Sequence, residues 1–234
     1  MEEQPTNKMH GMAAVVAIVA LVVGLGIGFG VTKAMDNGDS DDTKTSMSAS
    51  QTPNTATKAA DLRSTLVKLG LEHMTLTNKA VDAALDGSPD ATASGAALYT
   101  NGTDLGAAVG SVYGKDAETT FNTVWKLHLD EFVKYAVASK GGDAAGKQAA
   151  LDSISTNYTK PLAQYLAKAN PNLPEATLEG ALNDHVMMTA QMIDYHVQGK
   201  YDEEQKELAM ANDHIEGLFS TLAGAIVKQY PAKF

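Results

Sequence analysis

An uninterrupted apolar run near the start of the chain is the strongest constraint on what the chain can form. Residues 11–31 read GMAAVVAIVALVVGLGIGFGV and carry no charged side chain. A helix rises 1.5 Å per residue, so about 20 such residues match the roughly 30 Å hydrocarbon core of a bilayer. A helix also satisfies its own backbone hydrogen bonds in lipid. We therefore predict a transmembrane anchor at residues 11–32, preceded by a short tail at residues 1–10.

Two other interpretations of this run stay open. One is a cleaved secretory signal, although the run is longer than the apolar core of about 7–15 residues that such signals have. The other is a buried helix of a soluble protein. Lys8 precedes the run and Lys33 follows it, so the distribution of positive charge hardly decides the orientation. Because the tail is short and the following segment is polar, we expect a single-pass protein of the cell membrane with its C-terminal domain outside the cytoplasm.

Alternating glycines within the anchor offer a surface for helix pairing. Two pairs of them are four residues apart, which is the spacing that lets two membrane helices approach closely. Pairing of two chains through this face is one hypothesis and a lone anchor is the other. The glycines are Gly24, Gly26, Gly28 and Gly30.

A polar segment separates the anchor from the rest of the chain. Residues 33–59 are rich in Ser, Thr, Asp and Asn and have almost no large apolar side chain. Such a segment cannot bury enough apolar surface to offset the entropy lost on ordering. We predict a flexible linker that holds a folded domain, residues 60–234, away from the membrane.

The composition excludes several classes of function. The chain has 28 acidic and 18 basic residues, and Arg63 is its only arginine, which argues against nucleic-acid binding. It has no cysteine, so disulfide scaffolds, thiolate nucleophiles and thiolate metal sites are excluded. Neither a nucleophile elbow nor a phosphate-binding glycine loop is present in the domain. Nothing in the sequence indicates an enzyme.

Helical periodicity dominates the domain. Apolar residues recur at alternating steps of three and four, the pattern of amphipathic helices packed on a core. Glycine and proline interrupt the pattern at regular places. We predict an all-α, bundle-like domain whose fourth helix is bent or opened by Pro161. The six predicted helices span residues 61–86, 91–112, 117–140, 144–169, 175–198 and 202–229.

The spacing of three histidines predicts that the six helices form three repeated helical hairpins. His73, His128 and His185 lie 55 and 57 residues apart, and each is followed fourteen residues later by a glycine. A period of this length is typical of a triplicated supersecondary unit, with chance similarity as the alternative. An asparagine also follows each histidine by about 28 residues; these are Asn101, Asn157 and Asn212.

The repeat predicts a layer of polar side chains at one height of the bundle. Each histidine takes a place on the apolar stripe of its helix, where a buried imidazole needs a hydrogen bond or a metal. One interpretation is a structural layer in which the asparagines bond to the histidines. A second is a site where three imidazoles bind copper or zinc, and a third is exposure of some histidines without a shared role. A weaker copper candidate combines histidines with Met187, Met188, Met192 and Met210, although methionine at helical spacing more often fills a core.

These patterns favour a membrane-tethered, extracytoplasmic helical domain that acts as a binding or scaffold module. The alternative is an extracytoplasmic metal-binding protein that uses copper or zinc on the histidine layer. Beyond the membrane contact through residues 11–31, no partner follows from the sequence.

The anchor gives a direct prediction. We expect the full-length protein to stay in the membrane fraction after carbonate extraction. Protease added from outside is expected to cut within residues 33–59 and release a folded helical domain. Full-length protein in the soluble fraction would contradict the anchor, and release only from inverted vesicles would reverse the orientation.

Overall fold

In the computed structural model, residues 55–234 are described, and within them the chain is all-α with six helical rods and no strand. The predicted tail, anchor and most of the linker lie outside the described residues. The rods are α1 (Lys58–Asp86), α2 (Ala91–Tyr113), α3 (Lys115–Lys140), a fourth rod formed by α4 (Ala144–Ile154), a π turn (Ser155–Thr159) and α5 (Lys160–Ala169), then α6 (Glu175–Val197) and α7 (Tyr201–Gln229). The predicted all-α class and six helices are confirmed. No helix within residues 55–234 is both long enough and apolar enough to cross a membrane.

The first helix begins earlier than predicted, at Lys58 rather than residue 61. Thr57 has extended backbone, and its hydroxyl accepts a hydrogen bond from the backbone N–H of Ala60 at 3.1 Å. An N-cap of this kind satisfies one of the unpaired donors of the first turn. The helix therefore starts within the last two residues of the predicted linker.

The rods form a closed ring. Each rod packs on its neighbours in the chain, and α7 packs on α1 to complete the circle. Between these two helices, Arg63 Nε donates a hydrogen bond to Ser220 Oγ at 3.2 Å. Helices α1, α3 and α6 also contact one another, so the first helices of the three predicted hairpins meet in the interior.

The three turns that join consecutive rods at one end of the ring share one geometry. In each, a glycine with φ of +68° follows the helix, a backbone region that favours glycine because it has no Cβ. The residue after the glycine donates its N–H to the carbonyl five positions earlier, at 2.8, 2.8 and 2.9 Å. The glycines are Gly87, Gly142 and Gly199.

The predicted opening at Pro161 is confirmed as a π turn. Proline has no backbone N–H and its ring clashes with the carbonyl four residues earlier in a regular α-helix. The π turn at Ser155–Thr159 precedes it directly and accommodates one extra residue. As a result Tyr158 is buried in the core while Asn157 is exposed.

The glycine turns can be tested by a matched pair of substitutions. We expect Gly142→Ala to lower the free energy of unfolding by roughly 1–2 kcal/mol, because alanine is strained at this φ. Gly180→Ala is the control, since its Cβ would meet no atom within 4 Å on an exposed helical face. It should raise the free energy of unfolding by about 0.5–1 kcal/mol. Equal effects of both substitutions in urea denaturation would contradict the assigned turn.

Candidate metal centre

The structure brings the three predicted histidines together in the interior. His73 on α1, His128 on α3 and His185 on α6 are 1%, 0% and 2% exposed. The ring centroids lie 5.7 Å apart for His73–His128 and His73–His185, and 6.5 Å apart for His128–His185. Each residue offers one ring nitrogen, and the three nitrogens lie within 4.8 Å of one another. We call these three side chains the histidine cluster.

Aromatic side chains hold the cluster on one side. Tyr158 stacks on His128 with 4.1 Å between ring centroids. The Trp125 ring meets His73 and His128 edge-on at 4.9 and 4.6 Å. A Cβ at Gly102 would lie 2.7 Å from Trp125 Cδ1, so glycine at this position lets the indole pack against α2. These aromatic contacts restrain the imidazoles of His73 and His128.

Most ring nitrogens of the cluster lack a protein hydrogen-bond partner. Among residues 55–234, nothing bonds to His73 Nδ1, His185 Nδ1 or either nitrogen of His128. Buried polar atoms are nearly always paired. Outside the cluster, by contrast, His214 Nε2 lies 2.8 Å from the Ala181 carbonyl oxygen. The cluster is therefore a set of nitrogens available to a ligand rather than a closed hydrogen-bonded layer.

The surroundings keep these imidazoles uncharged. Burial lowers the pKa of His73 to about 4, against a weaker opposing effect of Asn101. Burial lowers the pKa of His185 to about 3, and His73 lowers it further. The pKa of His128 falls well below its ordinary value through burial and through both neighbouring imidazoles. All three are neutral at pH 7, which is the protonation state that binds a metal.

The three predicted asparagines are not equivalent in the structure. Asn101 is buried, and its amide donates to the Leu69 carbonyl at 3.1 Å. Asn157 is exposed and donates to Ser153, while Asn212 is half-buried. The turn between α1 and α2 is longer than the turns between α3 and α4 and between α6 and α7. The residues at the height of Asn101 in the other two hairpins are therefore not Asn157 and Asn212. The eleventh residues of α2, α4 and α7, all buried, are Asn101, Ile154 and Ala211.

The methionines do not join the cluster. Met187 and Met210 are 57% and 51% exposed, while Met192 is buried in the hydrophobic core. None of the four predicted methionines lines the cavity that reaches the histidines.

A cavity of about 530 Å³, between α1, α2 and α3, leads to the histidine cluster. The three histidines lie in its wall together with Thr77 and Thr189. The rest of the wall is mostly apolar and combines small side chains with larger ones; examples are Ala80, Ala84, Gly95, Leu98, Phe132 and Ala136. This volume is in the range of ligand sites.

One charged residue is found among the described residues that line the cavity. It is Lys140, whose amine donates a hydrogen bond to the Leu85 carbonyl. On the same helix, Val133 and Val137 line the cavity and are 58% and 68% exposed. The cavity therefore opens towards solvent past apolar side chains.

An ionic cluster closes the neighbouring interface between α1, α6 and α7. His196 Nδ1 lies 3.0 Å from Asp82 Oδ1 and 3.1 Å from Glu204 Oε2, and its Nε2 lies 3.1 Å from Asp86 Oδ1. Asn78 donates to Glu204 at 2.6 Å. His196 is thus surrounded by three carboxylates, one of which, Glu204, is 1% exposed.

The titration of this ionic cluster follows from its crowding. Burial raises the pKa of Asp82 to about 7, with a further contribution from the charge of Glu204. Burial acts to lower the pKa of His196, but the hydrogen bond to Asp86 and the charges of Asp82 and Glu204 outweigh it, so that the pKa rises. The carboxylates thus favour the imidazolium form of His196, which offsets part of their charge.

A second polar group closes the interface between α3, α4 and α6. Lys147 Nζ lies 2.6 and 2.8 Å from the two carboxylate oxygens of Asp194. Ser139 and Tyr135 donate to the same carboxylate at 2.6 and 3.1 Å. The sequence analysis did not predict either polar group. The constant spacing of their residues from the turn glycines was the pattern that could have indicated them.

Comparisons with known proteins do not assign the site. No protein-family model matches the chain, and neither a curated protein nor a solved structure matches it. The geometry of the site therefore carries the functional argument.

The uncharged state of the cluster predicts acid sensitivity of the metal-free protein. Between the ordinary histidine pKa of 6.5 and the folded values of about 3 and 4, the unfolded chain binds protons that the folded chain does not. The contribution of these histidines to stability is therefore greatest above pH 6.5 and falls as the pH falls towards 4. The raised pKa of Asp82 acts in the opposite direction, so the contribution of the cluster is taken from the difference between the wild type and a histidine variant. Replacing His185 by Leu should reduce this slope by up to about 1.4 kcal/mol per pH unit.

The measurement is the free energy of unfolding in urea at pH 4 to 8 with a chelator present. Gly180→Ala is the control, because it adds no titratable group and its Cβ would meet no atom within 4 Å. Identical slopes for wild type and His185→Leu would show that the cluster is charged or exposed in solution.

Proposed function

We propose that the domain binds one transition-metal ion, zinc or copper, through His73, His128 and His185. The observation that carries this proposal is the convergence of three buried imidazoles from three helices, with ring nitrogens within 4.8 Å of one another. Three neutral imidazoles with an open fourth position are a ligand set that suits both metals.

The distances are compatible with a shared ion. Zinc binds histidine nitrogen at about 2.0–2.1 Å, which for a tetrahedral site places ligand nitrogens about 3.3 Å apart. The three nitrogens, which lie within 4.8 Å of one another, would therefore approach by up to about 1.5 Å on sharing an ion. His73 Nδ1, His185 Nδ1 and both nitrogens of His128 have no hydrogen-bond partner among residues 55–234, which favours binding of a metal at these atoms.

A nearby negative charge offsets part of the cost of burying a cation. Thr77 and Thr189 line the cavity, and they also border the small space beside Asp82 and Glu204. The ionic cluster thus lies next to the histidine cluster along the bundle. Its carboxylates lower the electrostatic penalty of a bound cation.

We also propose that the three hairpins are a triplicated unit. Support comes from the shared turn geometry at Gly87, Gly142 and Gly199, each fourteen residues after a cluster histidine. The three histidine-bearing helices contact one another in the interior. A triplicated hairpin accounts for both features with one ancestral turn and one ancestral histidine.

The membrane location stays part of the proposal. The apolar run at residues 11–31 supports a single-pass protein whose domain lies outside the cytoplasm, with pairing through Gly24, Gly26, Gly28 and Gly30 as a further hypothesis. In that setting the domain is a tethered binding module that holds a metal ion near the membrane surface.

The metal proposal is tested by stoichiometry and by two measurements on the same variants. We expect about one zinc or copper ion per tag-free, full-length chain, and a rise in melting temperature on metal addition that a chelator reverses. His128→Leu and His185→Leu should each weaken metal affinity by at least about 100-fold, because a ligand is lost. His214→Gln should bind metal as wild type does.

The stability of the metal-free variants separates this function from a structural polar layer. Since the Nδ1 atom of His185 has no hydrogen-bond partner among residues 55–234, His185→Leu should leave the metal-free free energy of unfolding at pH 8 unchanged or higher. A structural layer predicts a loss of roughly 2–4 kcal/mol instead. A metal-free protein that ignores added zinc and copper would contradict the proposed function.

A further inference from the structure

Three sets of positions around the ring are equivalent relative to the glycine turns. The fifth residues before the turn glycines are Asp82, Val137 and Asp194. The third residues before them are Ala84, Ser139 and His196. The fourth residues of the helices that follow are Ser94, Lys147 and Glu204.

These positions come together at three interfaces between neighbouring hairpins. Polar side chains fill two of the three. Asp82, His196 and Glu204 meet between α1, α6 and α7. Asp194, Ser139 and Lys147 meet in the corresponding place between α3, α4 and α6. In each, an aspartate of one hairpin pairs with side chains of the hairpin before it.

The third interface, between α1, α2 and α3, carries Val137, Ala84 and Ser94 at the same positions. These side chains have no charge and are short, and two of them, Ala84 and Val137, line the cavity that leads to the histidine cluster. The cavity thus lies at the position where polar side chains fill the other two interfaces.

We infer that the interface between α1, α2 and α3, which lacks such a polar group, is the entrance of a binding site for a largely apolar small molecule with one uncharged donor group. The donor group takes the open position of the metal held by the histidine cluster, and the apolar body fills the cavity. The inference rests on the proposed metal site and adds its ligand class.

The chemistry of the walls selects this class of ligand. A charged or strongly hydrated molecule would lose its water on entry and gain few partners, since the walls are mostly Ala, Leu, Val and Phe. Lys140, the charged residue among the described lining, already donates its amine to a backbone carbonyl. An apolar body gains by burial against these walls, while the donor group satisfies the metal.

The test compares two ligands that share a neutral donor and differ in their apolar body. Imidazole and 4-phenylimidazole are titrated into the full-length, cobalt-loaded protein, and binding is followed by the cobalt absorption bands. We expect 4-phenylimidazole to bind at least about tenfold more tightly. The same pair measured with cobalt held by nitrilotriacetate gives the intrinsic ratio, from which the cavity's contribution is obtained.

A variant that fills the cavity isolates the role of the walls. Gly95 lines the cavity, and a Cβ built there meets no atom within 4 Å, so Gly95→Leu adds a side chain at the cavity wall where its first atom has room. It should abolish the preference for 4-phenylimidazole and keep cobalt affinity within about threefold. Gly180→Leu, with equally open space on an exposed face of α6, should keep both.

A second variant introduces a polar pair at the interface that lacks one. Ser94→Lys with Val137→Asp places at this interface the pair found as Lys147 and Asp194. It should reduce the preference for 4-phenylimidazole as Gly95→Leu does.

The outcomes distinguish the two proposals. Cobalt binding with no preference above the intrinsic ratio, or a preference that both cavity variants retain, overturns the ligand inference and leaves the metal site intact. A wild-type protein that binds no metal overturns the metal site and the ligand inference with it.

Discussion

The burial of three uncharged imidazoles at one point is the constraint on which the rest of the structure depends. Charging any of them in the interior would carry a large desolvation cost, and burial lowers the pKa of His73 and His185 to about 4 and 3. To bring them together, α1, α3 and α6 must approach in the interior, so the other rods lie between them around the ring. The ring is thus the simplest arrangement that places one residue from each hairpin at a common centre.

Much of this arrangement could be predicted from the sequence, because helix period and breakers report local chemistry. The six helices, the effect of Pro161 and the histidine spacing all follow from such local patterns. The predicted layer of asparagines did not form, because the longer first turn and the π turn change which residues lie at the height of the histidines. In the fourth rod, Tyr158 faces the cluster and Asn157 faces solvent. Neither change is visible in a count of residues between histidine and asparagine.

The cavity lay beyond sequence reasoning for a different reason. Its walls are mostly alanines, valines, leucines and glycines, residues that also fill ordinary helix contacts. What identifies it is comparison with the two equivalent interfaces, where His196 and Lys147 bind carboxylates. A small side chain such as Ala84 becomes informative when the residue that occupies the same place elsewhere in the ring is known.

The contact of α7 with α1 has a consequence for how the protein acquires its fold. The apolar face of α1 is among the first parts of the domain to be synthesised, yet one of its partners is the last helix, joined to it by contacts such as Arg63–Ser220. Such long-range closure carries a loop entropy that neighbouring hairpins do not. Until α7 packs on α1, the apolar surface between these two helices stays open, and a partly folded chain exposes it to aggregation.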